Sequence, residues 1–120
     1  MKVHRTLGPG YLESVYVSAL AHELAKLKLS FILQAPLKVK YDGVIVGTYM
    51  ADMVVETELI VELKAIQMLT KAHEAQLVNY LTTTGIEIGL LLNFGAQSLE
   101  FHKKSRTYRP ANSKNSVNSV

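Results

Sequence analysis

The 120-residue chain contains no cysteine. That absence excludes disulfides, thiolate zinc sites, iron–sulfur clusters and thiol nucleophiles, and removes any need for an oxidising compartment. Long apolar runs are also missing: stretches such as Ile88 to Leu92 fall far short of the ~18 residues that span a bilayer. The opening MKVHRTLGPG has no apolar centre of the kind a signal peptide carries. Together these absences predict a soluble, cytoplasmic protein without a membrane partner. Acidic residues are lacking at one end only. Residues 1–101 carry eight Lys or Arg against ten Asp or Glu, a balance of −2, whereas 102–120 carry five basic residues and no acid. The net charge of +3 therefore comes from the tail. A Ser- and Asn-rich basic end reads as a solvated, disordered segment, and alternatively as an arm that touches nucleic-acid phosphate.

A hydrophobic content of 48% suffices for one core in one domain. After the turn LGPG, the stretch from Tyr11 to Lys28 lacks Gly and Pro and recurs at helical spacing, with Val17, Leu20, Leu24 and Leu27 on one stripe, Tyr16 at its margin and Glu13 in its middle. Such a carboxylate is expected to point toward the core. Phe31 to Tyr41 reads as a strand, with Pro36 hinting at a sheet edge, and Asp42-Gly43 favours a tight hairpin into a second strand, Val44 to Val55. A third strand, Leu59 to Ile66, completes an antiparallel meander. Thr70 is a candidate N-cap for a helix ending near Gly85. The run 86–94 is then a strand brought parallel to the meander by a helical crossover, followed by a short strand from Leu99 to Lys103. The predicted order is α-β-β-β-α-β, an α/β (α+β) chain with a mixed central sheet flanked by helices. No internal repeat is present.

Charged residues interrupt this pattern in places that matter. Glu62 and Lys64 share a face of the third strand in LIVELKA, a strand apolar on both sides. Alone, Glu-x-Lys reads as an ion pair on a partly wet face. Asp52 alone reads as a bulge or a satisfied turn residue, on a face shared with Met50 and Val54. Two carboxylates on neighbouring strands, however, repel unless a positive charge sits between them, and burial raises the cost. A divalent cation can hold both. With Glu13 as a third oxygen donor, the set suits Mg²⁺ or Mn²⁺ better than zinc, and Lys64 would orient a water or stabilise charge on a phosphate. On the second helix Gln76 and Tyr80, four residues apart, share a face with His73. The plain alternative is a core-edge Tyr with a hydrogen-bonding Gln and a packed or capping His.

Taken together, Gly10, Glu13 and Tyr16 in GYLESVY, Ala51-Asp52, Glu62-Leu63-Lys64, HEAQLVNYL at 73–81 and GLLLNFG at 89–95 resemble the GxxExxY protein family. That family is a small-domain branch of the PD-(D/E)XK nuclease superfamily with RecB-like motifs. The resemblance implies a restriction-endonuclease-like core over residues 1–104, with 105–120 as tail. It implies Glu13, Asp52 and Glu62 as metal-binding carboxylates, the Leu63 backbone carbonyl as a further ligand, and Lys64 as the catalytic lysine. Gln76 and Tyr80 then correspond to the Q-x-x-x-Y motif that supports the site and the substrate strand, with His73 and Tyr16 beside it. Ala51 replaces the superfamily's Pro, and family members extend by a helical turn or more upstream, so a start at Met1 is expected to be short.

The expectation is a Mg²⁺- or Mn²⁺-dependent nuclease hydrolysing phosphodiester bonds, with DNA as the partner. The rival is a non-catalytic nucleic-acid-binding or assembly module on the same fold, favoured by the acidic body and the lack of a readable basic groove. A third reading is a structural or protein-partner domain. Homodimer formation and the choice of DNA over RNA are left open by the sequence.

Overall fold

A computed structural model of the chain describes residues 1–107. The elements are α1 (Lys2–Leu7), α2 (Glu13–Lys26), β1 (Phe31–Tyr41), β2 (Val44–Val55), β3 (Leu59–Lys64), α3 (Lys71–Thr84), β4 (Ile88–Asn93) and β5 (Glu100–Ser105). Of the basic end read as a disordered tail, the described part is ordered: Lys103 and Lys104 lie in β5, Ser105 ends it, and the Arg106 amide donates to the Glu87 carbonyl at 3.0 Å; from residue 108 on, the segment lies outside the described residues. Hydrophobic periodicity does not predict α1, since six residues are too few to show a period. The helix is tied down by tertiary contacts instead: Val3 and His4 are buried, and Nε2 of His4 lies 3.0 Å from the Ala96 carbonyl oxygen.

The sheet order is β1-β2-β3-β4-β5. β1, β2 and β3 form the antiparallel meander, β4 pairs parallel with β3, and β5 closes the far edge antiparallel to β4. The β1–β2 turn has φ 51° at Asp42 and 74° at Gly43, the paired positive values that a type I′ hairpin demands and that Gly supplies without strain. A parallel β3–β4 pair needs a crossover, and α3 provides it. This is the mixed, helix-flanked α+β sheet that the sequence predicts.

Each face of the sheet carries its own core. α1 and α2 cover one, where Tyr16, Val17 and Leu20 pack on Met53, Val55, Val61 and Leu63. α3 covers the other, where Leu77 and Leu81 meet Ala51, Val54, Ile60 and Leu91. Tyr16 is fully buried and stacks on Phe94 with ring centroids 4.6 Å apart. It is thus the centre of the α2 stripe rather than its margin, whereas Leu27, placed on the stripe by spacing, is exposed beyond the end of the helix.

β3 stops at Lys64, two residues earlier than its apolar run suggests. The Ile66 amide donates to the side-chain Oδ1 of Asn93 at 3.0 Å instead of continuing the ladder. Asn93 is fully buried. Its Oδ1 also accepts from the Gly95 amide at 3.0 Å, and its Nδ2 donates to Oε1 of Glu100 at 2.7 Å. Gly95 passes so close that a Cβ there would lie 2.3 Å from the Ile66 carbonyl oxygen. Gly95→Ala is therefore expected to cost about 3 kcal/mol or more, a fall in Tm of roughly 12 °C or more in thermal unfolding. Gly47→Ala, where nothing lies within 4 Å, should leave Tm within a few degrees. Equal melting of the two variants would refute the close approach.

Candidate active site

β2 and β3 are paired only over Met53–Val55 and Leu59–Val61. One step further on, Asp52 and Glu62 should face each other across an ordinary ladder. Instead the strands part, and two carboxylates take the place of backbone carbonyls. The Asp52 amide donates to Oε1 of Glu62 at 3.0 Å, and the Leu63 amide donates to Oδ2 of Asp52 at 2.8 Å. Unpaired buried amides are costly, so this exchange satisfies the backbone while locking both side chains. The bonds use one oxygen of each carboxylate and leave Oδ1 of Asp52 and Oε2 of Glu62 for other partners.

The β1–β2 ribbon changes course at the same point. Its register runs Leu33 to Met53 and then Ala35 to Ala51, skipping Gln34 and Asp52, and Gln34 has φ 51°. Met53 packs beneath α2, whereas Ala51, only two residues away, packs beneath α3. Strict alternation would put residues two apart on one side, so the ribbon is turned over at Asp52. Met50, Asp52 and Val54 consequently do not share a face, contrary to the sequence reading.

Glu62 is buried, 7% exposed. Burial, reinforced by the charge of Asp52, pushes its carboxyl up from 4.5 to about 7, against the opposing pull of a Tyr49 hydroxyl and of Lys64. Tyr49 is itself raised, chiefly by burial and then by Glu62. Its ring stacks on Tyr80 of α3, centroids 3.6 Å apart and 8° from parallel. Tyr49 is the residue beside Glu62 that the sequence reading misses. Its signal was faint, an aromatic three positions before Asp52. Lys64 ends β3, and its carbonyl accepts from the Phe94 amide at 2.8 Å.

The other expected positions fall differently. Glu13 is the first residue of α2 and is exposed rather than aimed at the core. It nonetheless lines a cleft of about 340 Å³ together with Ser14, Ser18, Gln34 and Asp52. Gln76 and Tyr80 line a separate groove between α3 and Val39. His73 Nδ1 accepts from the Thr70 amide at 3.0 Å, a helix cap. The Tyr16 hydroxyl donates to the Gly8 carbonyl at 2.6 Å and accepts from the Tyr11 amide at 3.2 Å, which fixes the turn before α2. Of Leu63, it is the amide that the structure ties to Asp52.

Among the described residues no three Asp, Glu or His side chains already cradle a metal ion. The donor chemistry still fits a hard divalent cation. Two carboxylates stand on adjoining strands with oxygens to spare, and Mg²⁺ needs only one or two protein carboxylates, its other ligands being water or phosphate. Negative charge on buried Glu62 is costly, and a cation would relieve that cost. Thiolate is absent, and no histidine lines the cleft of Glu13 and Asp52, which disfavours zinc.

No helix among the described residues is long and apolar enough to cross a membrane. No curated protein matches the chain. Among solved structures, that of SSO0001 is similar over 88% of this chain, with a TM-score of 0.57 at 14% identity. The chain spans 55% of the length of that structure, and the likeness is one of fold. A family model of the PD-(D/E)XK nuclease superfamily matches residues 1–105, from α1 through β5. A match over that much of the chain, on a sheet of the restriction-endonuclease-like kind, makes this protein a member of the PD-(D/E)XK nuclease superfamily.

Proposed function

We propose that the chain is a Mg²⁺- or Mn²⁺-dependent nuclease of the GxxExxY branch, hydrolysing phosphodiester bonds in DNA. Its nuclease domain would extend to about residue 104. The observation that carries the reading is the reciprocal bonding of Asp52 and Glu62 to each other's strands, with Lys64 two residues along. It supports a site because it holds a buried acid, Glu62, beside a partly buried one, Asp52, where an ordinary ladder would bring no charge. Asp52 and Glu62 would hold the cation, with Glu13 reaching it across the cleft and the Leu63 carbonyl adding an oxygen. When bound, the cation lowers the pKa of a water molecule and screens the phosphate. Lys64 would orient the attacking water and stabilise charge growing on the phosphate oxygens. Tyr80, through its stack on Tyr49, would keep the Glu62 side of the site rigid, and Gln76 would meet the substrate strand.

Three outcomes test this. Assayed on single- and double-stranded DNA and on RNA, cleavage is expected only with Mg²⁺ or Mn²⁺ and chiefly on DNA. Asp52→Asn, Glu62→Gln and Lys64→Ala should each lower it by on the order of 10²–10³-fold or more. Asn and Gln retain an oxygen for the backbone bonds, so circular dichroism should be unchanged. Cleavage undiminished in all three would point to a contaminant or another site, and salt-dependent DNA binding without cleavage under any divalent ion would favour the non-catalytic module.

Saturating Mn²⁺ is expected to raise Tm in the wild type, by the equivalent of about 2.7 kcal/mol at one hundred times Kd. No rise is expected in the Asp52→Asn/Glu62→Gln double variant. The same rise in both would remove the acids from the metal site.

In the metal-free protein Glu62 has a folded pKa of about 7 against 4.5 for the free group. A raised carboxyl favours the folded state fully below pH ~4.5, and the benefit is lost as pH rises through about 7. Denaturant unfolding in chelator should therefore show the wild type losing on the order of 3 kcal/mol more than Glu62→Gln between pH 4.5 and 8. Parallel curves would contradict the burial of Glu62.

A further inference from the structure

Beyond Gln34 and Asp52 the β1–β2 ribbon leaves the sheet. β3 accompanies β2 only as far as Met53, so residues 36–50 run on as two strands alone. From Pro36 to Tyr41 this is a projection of about 20 Å. One side leans on α3 through Leu37 and Tyr49. The other is bare. Directly opposed residues share a face, so the register places Lys38 with Thr48, Lys40 with Ile45, and Pro36 with Met50 on the bare side, all of them exposed. Because the ribbon is turned over at Asp52, this side is continuous with the face covered by α2, where Glu13 and Asp52 line their cleft. The open face thus carries two lysines and no carboxylate. Asp42, in the turn, is the sole acid of the ribbon.

We propose that this ribbon is the element that holds double-stranded DNA, entering a groove with Lys38 and Lys40 on the flanking phosphates and the apex Tyr41, Val44 and Ile45 against sugars and base edges. The inference rests on the nuclease reading for its substrate class. The rest is physical. The described residues carry eleven Lys or Arg against ten Asp or Glu, too even a balance to attract a polyanion broadly, and the bare ribbon face is where positive charge lies beside the cleft. A two-stranded β-ribbon fits the major groove of B-form DNA, about 12 Å wide, whereas the deep, narrow major groove of A-form RNA shuts it out. Apolar apex residues, awkward in water, are at home against deoxyribose and the thymine methyl.

The experiment measures affinity of the full chain for a labelled B-form duplex in chelator, so that binding is read without cleavage. Lys38→Glu/Lys40→Glu should weaken binding by roughly tenfold or more and flatten the slope of log K against log salt by about 2. The charge-matched control Lys26→Glu/Lys28→Glu, at the far end of α2, should stay within about threefold of wild type, and an RNA duplex should bind more weakly than DNA. Equal losses in both double variants would make the effect general charge and overturn the proposal, as would unchanged binding in the ribbon variant. Light scattering of wild type and Val44→Ser/Ile45→Ser closes the remaining route: a dimer that the apex variant dissolves would assign the ribbon to a second copy of the chain. Ribbon-dependent binding without cleavage under any metal would uphold this surface and defeat the nuclease reading alone.

Discussion

Two strands that separate inside a protein leave amides facing each other with nothing to bond, and everything around the candidate site follows from how this chain resolves that problem at Asp52 and Glu62. Each carboxylate accepts from the opposite backbone. A plain ladder would have bonded the same amides with carbonyls and brought no charge. Acids also bring a demand for a counter-charge, which is strongest at Glu62 because it is buried. The parting of the strands, the turning over of the ribbon at Gln34 and the raised carboxyl are thus one local event seen from the backbone, the topology and the proton.

The cores on the two faces are what make that event tolerable. α2 grips Met53 and Val55 below the node, and α3 grips Ala51 and Tyr49 above it. The ribbon is therefore held on opposite sides on either side of Asp52, so the twist cannot relax back to a flat strand without exposing one core. Tyr49 serves both ends of this arrangement, stacked against Tyr80 while lying beside Glu62.

Much of the fold was legible because it follows local rules. The type I′ turn at Asp42-Gly43, the cap region at Thr70 and the left-handed Gly85 mark element boundaries by backbone chemistry alone, and the parallel pairing of β4 follows from the helix before it. What depends on tertiary contact was hidden. Nothing in KVHRTL announces a helix held by buried Val3 and His4. Period-two alternation put Asp52 on the face of Met50 and Val54, since a residue that both neighbouring ladders skip leaves no mark in sequence. Helical spacing gave Glu13 its side of α2 but not its exposure, because it stands at the helix start, above the packed layer. The acids of β2 and β3 could be named from burial and charge; their bonding to one another's amides could not.

The Asn93 cluster lies on the other side of Lys64 from the acids. Asn93 collects Ile66, Gly95 and Glu100, and Glu100 in turn accepts from the Leu69 amide at 3.3 Å. The chain leaving β3 is thereby fastened to the start of β5, and Lys64 sits between two fixed points rather than at a fraying strand end. Its backbone entropy is surrendered during folding, before any ligand arrives. Whatever Lys64 meets need not organise the strand that presents it, so its contacts can act in full on the partner.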